Sequence, residues 1–302
     1  MTRSDRPQLI GLPTRIRLVE VIGSGAFSVV WRARDSQSGR DLAVKILPLQ
    51  SSDAHAAGRL EREARALSRL NQIEGTVLLH QVGMAADGTA WLLLDFAPGG
   101  SLRDCIAARA NELALPGVSA AVDLEVGEEL AANLFSTLAG AHACGVIHGD
   151  ISPANVLFGE SGEPLLADFG MAALLGGGDG AAGVSGFTPA YGAPERLRGG
   201  NPDRPSDVFA LAATLWHAEF GQLPQVASPG LSLPDPLQTG ADPTVVRQGA
   251  PAIRQEDWMM GALSLSPADR PDAATVAKAL KRSRLGQKGR RLGWKYPRRD
   301  VE

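Results

Sequence analysis

The hydrophobic pattern of the chain changes period at Ala97-Pro98-Gly99-Gly100, and that change splits it into two unlike units. Before this point short apolar runs alternate with turns. Ile16, Leu18 and Val21 lead into Gly23-Ser24-Gly25, Val29-Val30-Trp31 follows, and Ser38-Gly39 turns the chain into the run Leu42 to Leu47. Residues 77–82 and 90–96, joined by Asp87-Gly88, make five strand-like segments. A helix capped by Ser51, Ser52 or Asp53 and running to about Leu70 is expected between them, with Leu60, Ala64 and Leu67 on its apolar stripe. Beyond the hinge the pattern is helical at 101–109, 127–144, 206–219, 254–264 and 272–284. Short β segments at 156–158 and 165–167 interrupt it, separated by a turn at Glu160-Ser161-Gly162. The reading is a small β-rich unit over 14–97, a larger mainly helical unit over 98–285, and a poorly ordered basic tail over 286–302. Residues 176–183, with five glycines, and the Pro- and Gly-rich stretch 222–251 are expected to be loops.

Composition narrows the class. Of 302 residues, 44% are hydrophobic and 21% charged, the mixture of a globular protein. No run reaches the roughly 18 apolar residues of a membrane span, and the N-terminal residues lack the apolar core of a signal peptide. Cys105 and Cys144 are far apart, which argues against a disulfide scaffold or zinc site and for a reducing, cytoplasmic setting. The net charge of −3 hides an acidic body and a tail from 278 onward that holds ten Lys/Arg. Nucleic-acid binding by the body is therefore not expected, whereas the tail could contact an acidic partner.

Lysine usage is more telling. Lys45 is the sole lysine before residue 278, in a chain that otherwise uses arginine. An isolated ammonium in the apolar run Leu42-Ala43-Val44-Lys45-Ile46 marks a position that needs a compact point charge, and once buried it needs a counter-charge. Glu63 lies three residues after Leu60 and four before Leu67, on the buried stripe, while Glu61 falls on the wet face, so Glu63 is read as its partner. Upstream, the glycines of Gly23-Ser24-Gly25-Ala26-Phe27-Ser28-Val29-Val30 would let backbone N–H groups approach phosphates. Alone, such a hairpin is more often structural. No helix follows it and no Gly-Lys-Ser/Thr is present, so neither a dinucleotide fingerprint nor a P-loop fits.

Taken with the downstream motifs, these residues resemble the eukaryotic-type serine/threonine protein kinase family, in a bacterial, soluble form. His148-Gly149-Asp150-Ile151-Ser152-Pro153-Ala154-Asn155 is similar to the catalytic loop, Asp168-Phe169-Gly170 to the metal-binding triplet and Ala193-Pro194-Glu195 to the end of the activation segment. The resemblance implies an α+β, two-lobed protein-kinase-like fold, with one helix in a small five-stranded lobe and a larger helical lobe. It implies ATP and Mg²⁺ as cofactors and a protein substrate with a Ser/Thr acceptor. Asp150 would be the base, Asn155 and Asp168 the metal ligands, Lys45 the phosphate cation held by Glu63, and Thr188 the substrate-facing threonine. Gly23, Ser24, Gly25, Ala26, Phe27, Val30, Ala43, Asp95, Ala97 and Leu157 would contact the nucleotide. Asp207 would be a buried anchor, Arg270 the partner of Glu195, and Phe169, His148 and Leu67 an apolar stack between lobes.

Three positions depart from the family pattern. Ser28 stands for a glycine of the phosphate loop, Gly149 for the arginine before the catalytic aspartate, and Ser152 for the lysine two residues after it. The last two also resemble the loop of aminoglycoside and choline kinases, and loss of the lysine leaves room for a nucleotide-binding pseudokinase without turnover. Residues 171–192 contain no Lys or Arg, and their hydroxyls are Ser185, Thr188 and Tyr191. Phosphorylation of this segment is therefore not expected to be the switch.

Overall fold

A computed structural model describes residues 11–25, 28–48, 64, 67–85, 89–113, 128–169, 187–224 and 256–286. Five antiparallel strands form the small lobe: β1 (Ile16–Gly25), β2 (Ser28–Asp35), β3 (Asp41–Pro48), β4 (Leu79–Met84) and β5 (Thr89–Asp95), in the order β1-β2-β3-β5-β4. The central strand β3 is covered on both faces. Leu42 and Val44 join Ile16, Leu18, Ala33, Trp91 and Leu93 in an outer cluster, while Leu47 joins the main core beneath the sheet. Ala43 and Lys45 alternate with that outer set and so point to the underside, where the lobes meet. Trp91 needs room on β4: a Cβ at Gly83 would lie 2.1 Å from its ring.

Beneath the sheet, Ala64 and residues 67–70 are helical, and Leu67 and Leu70 are buried against the core. The strand expected at 77–82 begins later, at Leu79, because Thr76 pairs as a parallel bridge with Leu166 of the large lobe and the Val77 N–H donates to Leu166 O at 3.1 Å. The chain thus stitches itself to the large lobe before it returns to the sheet as β4. The hinge does the same. Gly99 N–H donates to Phe158 O at 2.9 Å, and Ser101 bridges Leu157.

The large lobe contains α1 (Leu102–Leu113), α2 (Glu128–Ala143), a hairpin of β6 (Val156–Phe158) and β7 (Pro164–Leu166), the single helical turn α3 (Pro194–Leu197), α4 (Arg204–Phe220), α5 (Glu256–Ala262) and α6 (Ala273–Gly286). In α2, Ala131, Leu134, Phe135, Leu138 and Ala141 recur at three- and four-residue spacing and are fully buried. Helix α4 is apolar nearly all round, from Val208 to Leu215, and forms the centre of the lobe. Its start is fixed by a reciprocal cap. Asp203 accepts the Ser206 N–H at 2.8 Å and donates its own N–H to Ser206 Oγ at 2.9 Å, with Gly221 closing the other end at φ +69°. These parts make the α+β, two-lobed arrangement expected for the chain.

Candidate active site

Strand register sets the roof of the cleft. Gly23 faces Val30, Val30 faces Lys45, and Lys45 faces Leu92, so one row across four strands carries Gly23 and the ammonium with only Val30 between them. The cavity between the lobes measures about 1510 Å³, and Gly23, Val30, Ala43, Lys45, Asp95, Ala97, Leu157 and Asp168 all line it. Ser24 and Gly25 lie further along β1, outside that lining. Ala26, Phe27, Glu63 and Gly170 fall outside the described residues.

Lys45 is 6% exposed, and its Nζ lies 2.7 Å from Asp168 Oδ2. Among the described residues the carboxylate against Lys45 is Asp168 of the large lobe, while the expected partner Glu63 lies outside them. Periodicity could not have found this pair, because the two residues come from different lobes. Asp168 holds φ +65°, a left-handed conformation uncommon for a residue with a side chain.

The floor hangs from α4. Asp207, buried at its first turn, accepts the N–H of His148 and the N–H of Gly149, each at 2.8 Å, and its Oδ2 lies 2.9 Å from His142 Nε2. Gly149 adopts φ +80°, which suits glycine and strains any side chain. The His148 ring packs on Phe169 at 4.5 Å between centroids, and Phe169 shares the main core with Leu67. Burial pushes the His148 imidazole below the ordinary histidine pKa against the pull of Asp207, Asp150 and Asp168.

Asp150 follows. Its backbone carbonyl accepts the Asn155 Nδ2 at 2.8 Å, and Asn155 O in turn accepts the Ala167 N–H at 2.9 Å, next to Asp168. Its carboxylate Oδ1 accepts the Thr188 backbone N–H at 2.7 Å. Burial raises the Asp150 carboxyl above the usual aspartate range, and the Thr188 donor offsets part of that rise. Tyr191, three residues on, bonds through its hydroxyl to His217 Nδ1 at 2.7 Å, and burial raises its phenol to about 12. The end of the segment is anchored by Arg270, whose guanidinium meets both Glu195 oxygens at 2.5 and 2.8 Å and donates to Ser264 O and Pro205 O.

Sequence reasoning missed the rim. Arg32 bonds Asp41 at 2.8 Å and Glu20 at 3.0 Å and lies over the Phe96 ring, closing one side of the cleft. Cross-strand pairing of Glu20 with Arg32 was the available signal. His142 was missed as well, since nothing local marks a helix histidine as the neighbour of an aspartate far along the chain.

A small antiparallel lobe and a helical lobe around a cleft of this make-up define a protein kinase domain. The chain belongs to that family: the sequence profile of the protein kinase domain matches residues 16–233. It is 34% identical to the serine/threonine-protein kinase PknK of Mycobacterium tuberculosis over 267 residues, 87% of this chain and 23% of that protein. It is 36% identical to CBL-interacting protein kinase 22 of Oryza sativa subsp. japonica over 70% of this chain and 50% of that protein. It thus spans about a quarter and about half of the length of these relatives. A crystal structure of the Mycobacterium tuberculosis PknI kinase domain is similar to it with a TM-score of 0.63 and 25% identity, covering 90% of this chain and 96% of that one. Among the described residues, no helix is long and apolar enough to cross a membrane.

Proposed function

We propose that the chain transfers the γ-phosphoryl group of Mg-ATP to serine or threonine hydroxyls of protein substrates. The observation that carries this reading is the Thr188 N–H held on the Asp150 carboxylate at 2.7 Å, which ties the acceptor-side segment to the candidate base. Bound Mg-ATP would supply the transferable phosphoryl group, with the metal neutralising charge on the phosphates. Lys45 would hold those phosphates as a point charge beneath the glycine turn, with Glu63 as its proposed further partner. Asp168 and the Asn155 amide oxygen would hold the metal, since the Asn155 Nδ2 is already committed to the Asp150 carbonyl. Among the described residues no three His, Cys, Asp or Glu cluster as a metal cage. A carboxylate and an amide oxygen are hard donors that suit Mg²⁺, which takes one or two carboxylates and completes its shell with phosphates and water. Asp150 would orient the acceptor hydroxyl and take its proton, and burial makes its carboxylate more basic than a solvated one.

A second reading, nucleotide binding without turnover, is favoured by one observation. Ser152 replaces a cation and is itself 3% exposed, so the catalytic loop presents no positive charge there. Labelled ATP and Mg²⁺ offered with a generic protein, with the chain itself and with small amino-alcohols separate the readings. Label on a protein supports the first. ATP binding without label anywhere supports the second, and label on an amino-alcohol alone would make the chain a small-molecule kinase. In the second case Ser152→Lys tests whether the missing cation is the cause. Two free cysteines, Cys105 and Cys144, fit the proposed reducing, cytoplasmic setting.

A further inference from the structure

Beside the floor of the cleft lies a small cavity bounded by Gly149, Asp150, Phe187, Thr188, Arg196 and Asp207. Among the described residues lining it, Arg196 is the cation. Its guanidinium lies over the Phe187 ring at 4.8 Å and donates from Nη1 to Gly200 O at 2.5 Å. The same ring presses on Gly192, where a Cβ would lie 2.5 Å from it, so Phe187 is gripped from the far end of its own segment. Phe187 immediately precedes Thr188, whose N–H reaches Asp150.

The charge is placed as deliberately as the ring contact. Arg196 feels Asp207, Asp203, Asp150 and Glu195, and its burial, which depresses its pKa, also strengthens those attractions relative to a solvated pair. Of these, Asp150 and Asp207 line the same cavity as Arg196, and Gly149 between His148 and Asp150 has no side chain to bring a further positive charge. A guanidinium is suited to the place because it stacks on an aromatic face and stays charged when partly buried.

We propose that Arg196 is a positioning residue of the acceptor site. It holds Phe187 so that the Thr188 N–H stays on Asp150, and it brings from α3 the positive charge that Gly149 does not carry. The proposal rests on the phosphoryl-transfer reading for its catalytic meaning. Its structural content is that an arginine encoded in the chain ties down the segment end, a task that an added phosphate and a basic pocket perform elsewhere. Residues 171–192 hold no lysine or arginine of their own, so the cation has to come from outside the segment.

The test uses the full chain with Arg196→Gln, Arg196→Lys and Phe187→Leu, read by site-resolved amide exchange and by steady-state kinetics. Arg196→Gln is expected to speed exchange at Thr188 by about tenfold, equivalent to ~1.4 kcal/mol of lost protection. The His148 and Gly149 amides, held by Asp207, should stay within about twofold. In kinetics KM for a protein acceptor should rise by about fivefold or more while KM for ATP moves less than about twofold. Arg196→Lys should restore part of the exchange protection, and Phe187→Leu should reproduce the loss at Thr188. Unchanged Thr188 protection in Arg196→Gln overturns the proposal, as does equal loss at His148 and Gly149, which would mark a general loosening. If Arg196→Gln does not fold, Phe187→Leu decides by the same criterion. A wild-type chain that transfers no phosphate removes the proposed function, but the exchange measurement still decides the role of Arg196.

Discussion

The Lys45 ammonium lies 2.7 Å from the Asp168 carboxylate, so the one lysine of the small lobe closes an ion pair with the large lobe across the cleft. Lys45 is nearly buried while Asp168 is about a quarter exposed. Removing the lysine thus leaves a carboxylate that water can still reach. Lys45→Met, which keeps apolar bulk, is expected to abolish phosphoryl transfer and to alter stability by less than about 1.5 kcal/mol. Thermal unfolding and label transfer measured on one preparation check both halves. Transfer at the wild-type rate would remove Lys45 from the proposed mechanism.

Asp150 accepts the Thr188 N–H and belongs to the small cavity, not to the lining of the large one, which under the proposed function places it on the acceptor side. Asp150→Asn is accordingly expected to lower turnover by about 100-fold or more with ATP affinity within about twofold. Equilibrium nucleotide binding beside single-turnover kinetics separates the two effects. Collapse of ATP binding would place Asp150 on the nucleotide side instead.

The Arg270 guanidinium is fully buried, lies over the Phe209 ring and spends two of its donors on Glu195. Taking away the carboxylate strands a buried charge, so Glu195→Ala should destabilise the chain by about 3 kcal/mol or more. Urea denaturation reads this directly. A loss under about 1 kcal/mol would show that water or the carbonyls of Ser264 and Pro205 satisfy the cation unaided.

Burial holds His148 below the ordinary histidine pKa of about 6.5. The unfolded chain then binds the proton that the native state refuses. Stability is complete above about pH 6.5 and falls as the pH drops, by at most about 1.4 kcal/mol per pH unit for each such histidine. His217, lowered by burial as well, acts with the same sign. Melting temperature should decline between pH 7 and pH 5, and His148→Leu should make the decline shallower. An unaltered slope in that variant would assign the pH dependence to other groups.

Much of the architecture was legible because β strands and helices leave different periods when one face is buried. The alternation that marked Leu42 to Leu47 reflects a strand whose residues alternate between two cores, and the segment 156–158 was readable for the same reason. Where the local signal failed, a distant residue had intervened. The strand expected from residue 77 starts at Leu79 because Thr76 and Val77 are engaged by Leu166 of the other lobe. The lysine census singled out Lys45 but not its ion pair with Asp168, since periodicity compares neighbours within one element and cannot see the other lobe. Arg196 gave no signal, because an arginine beside Glu195 reads as an ordinary surface residue until Phe187 is folded beneath it.

By itself the sequence determined which elements form, where the chain changes from strands to helices, and which motifs mark a protein kinase domain. Those properties depend on residue type and on spacing of a few positions. The tertiary structure decided which side chains meet. It alone hangs the Gly149 N–H on Asp207, 58 residues away, sets the Thr188 N–H on Asp150, 38 residues away, and turns Arg196 toward the Phe187 ring. Such contacts gain their strength from shared burial and a common low-dielectric floor, and that environment exists only after both lobes have packed.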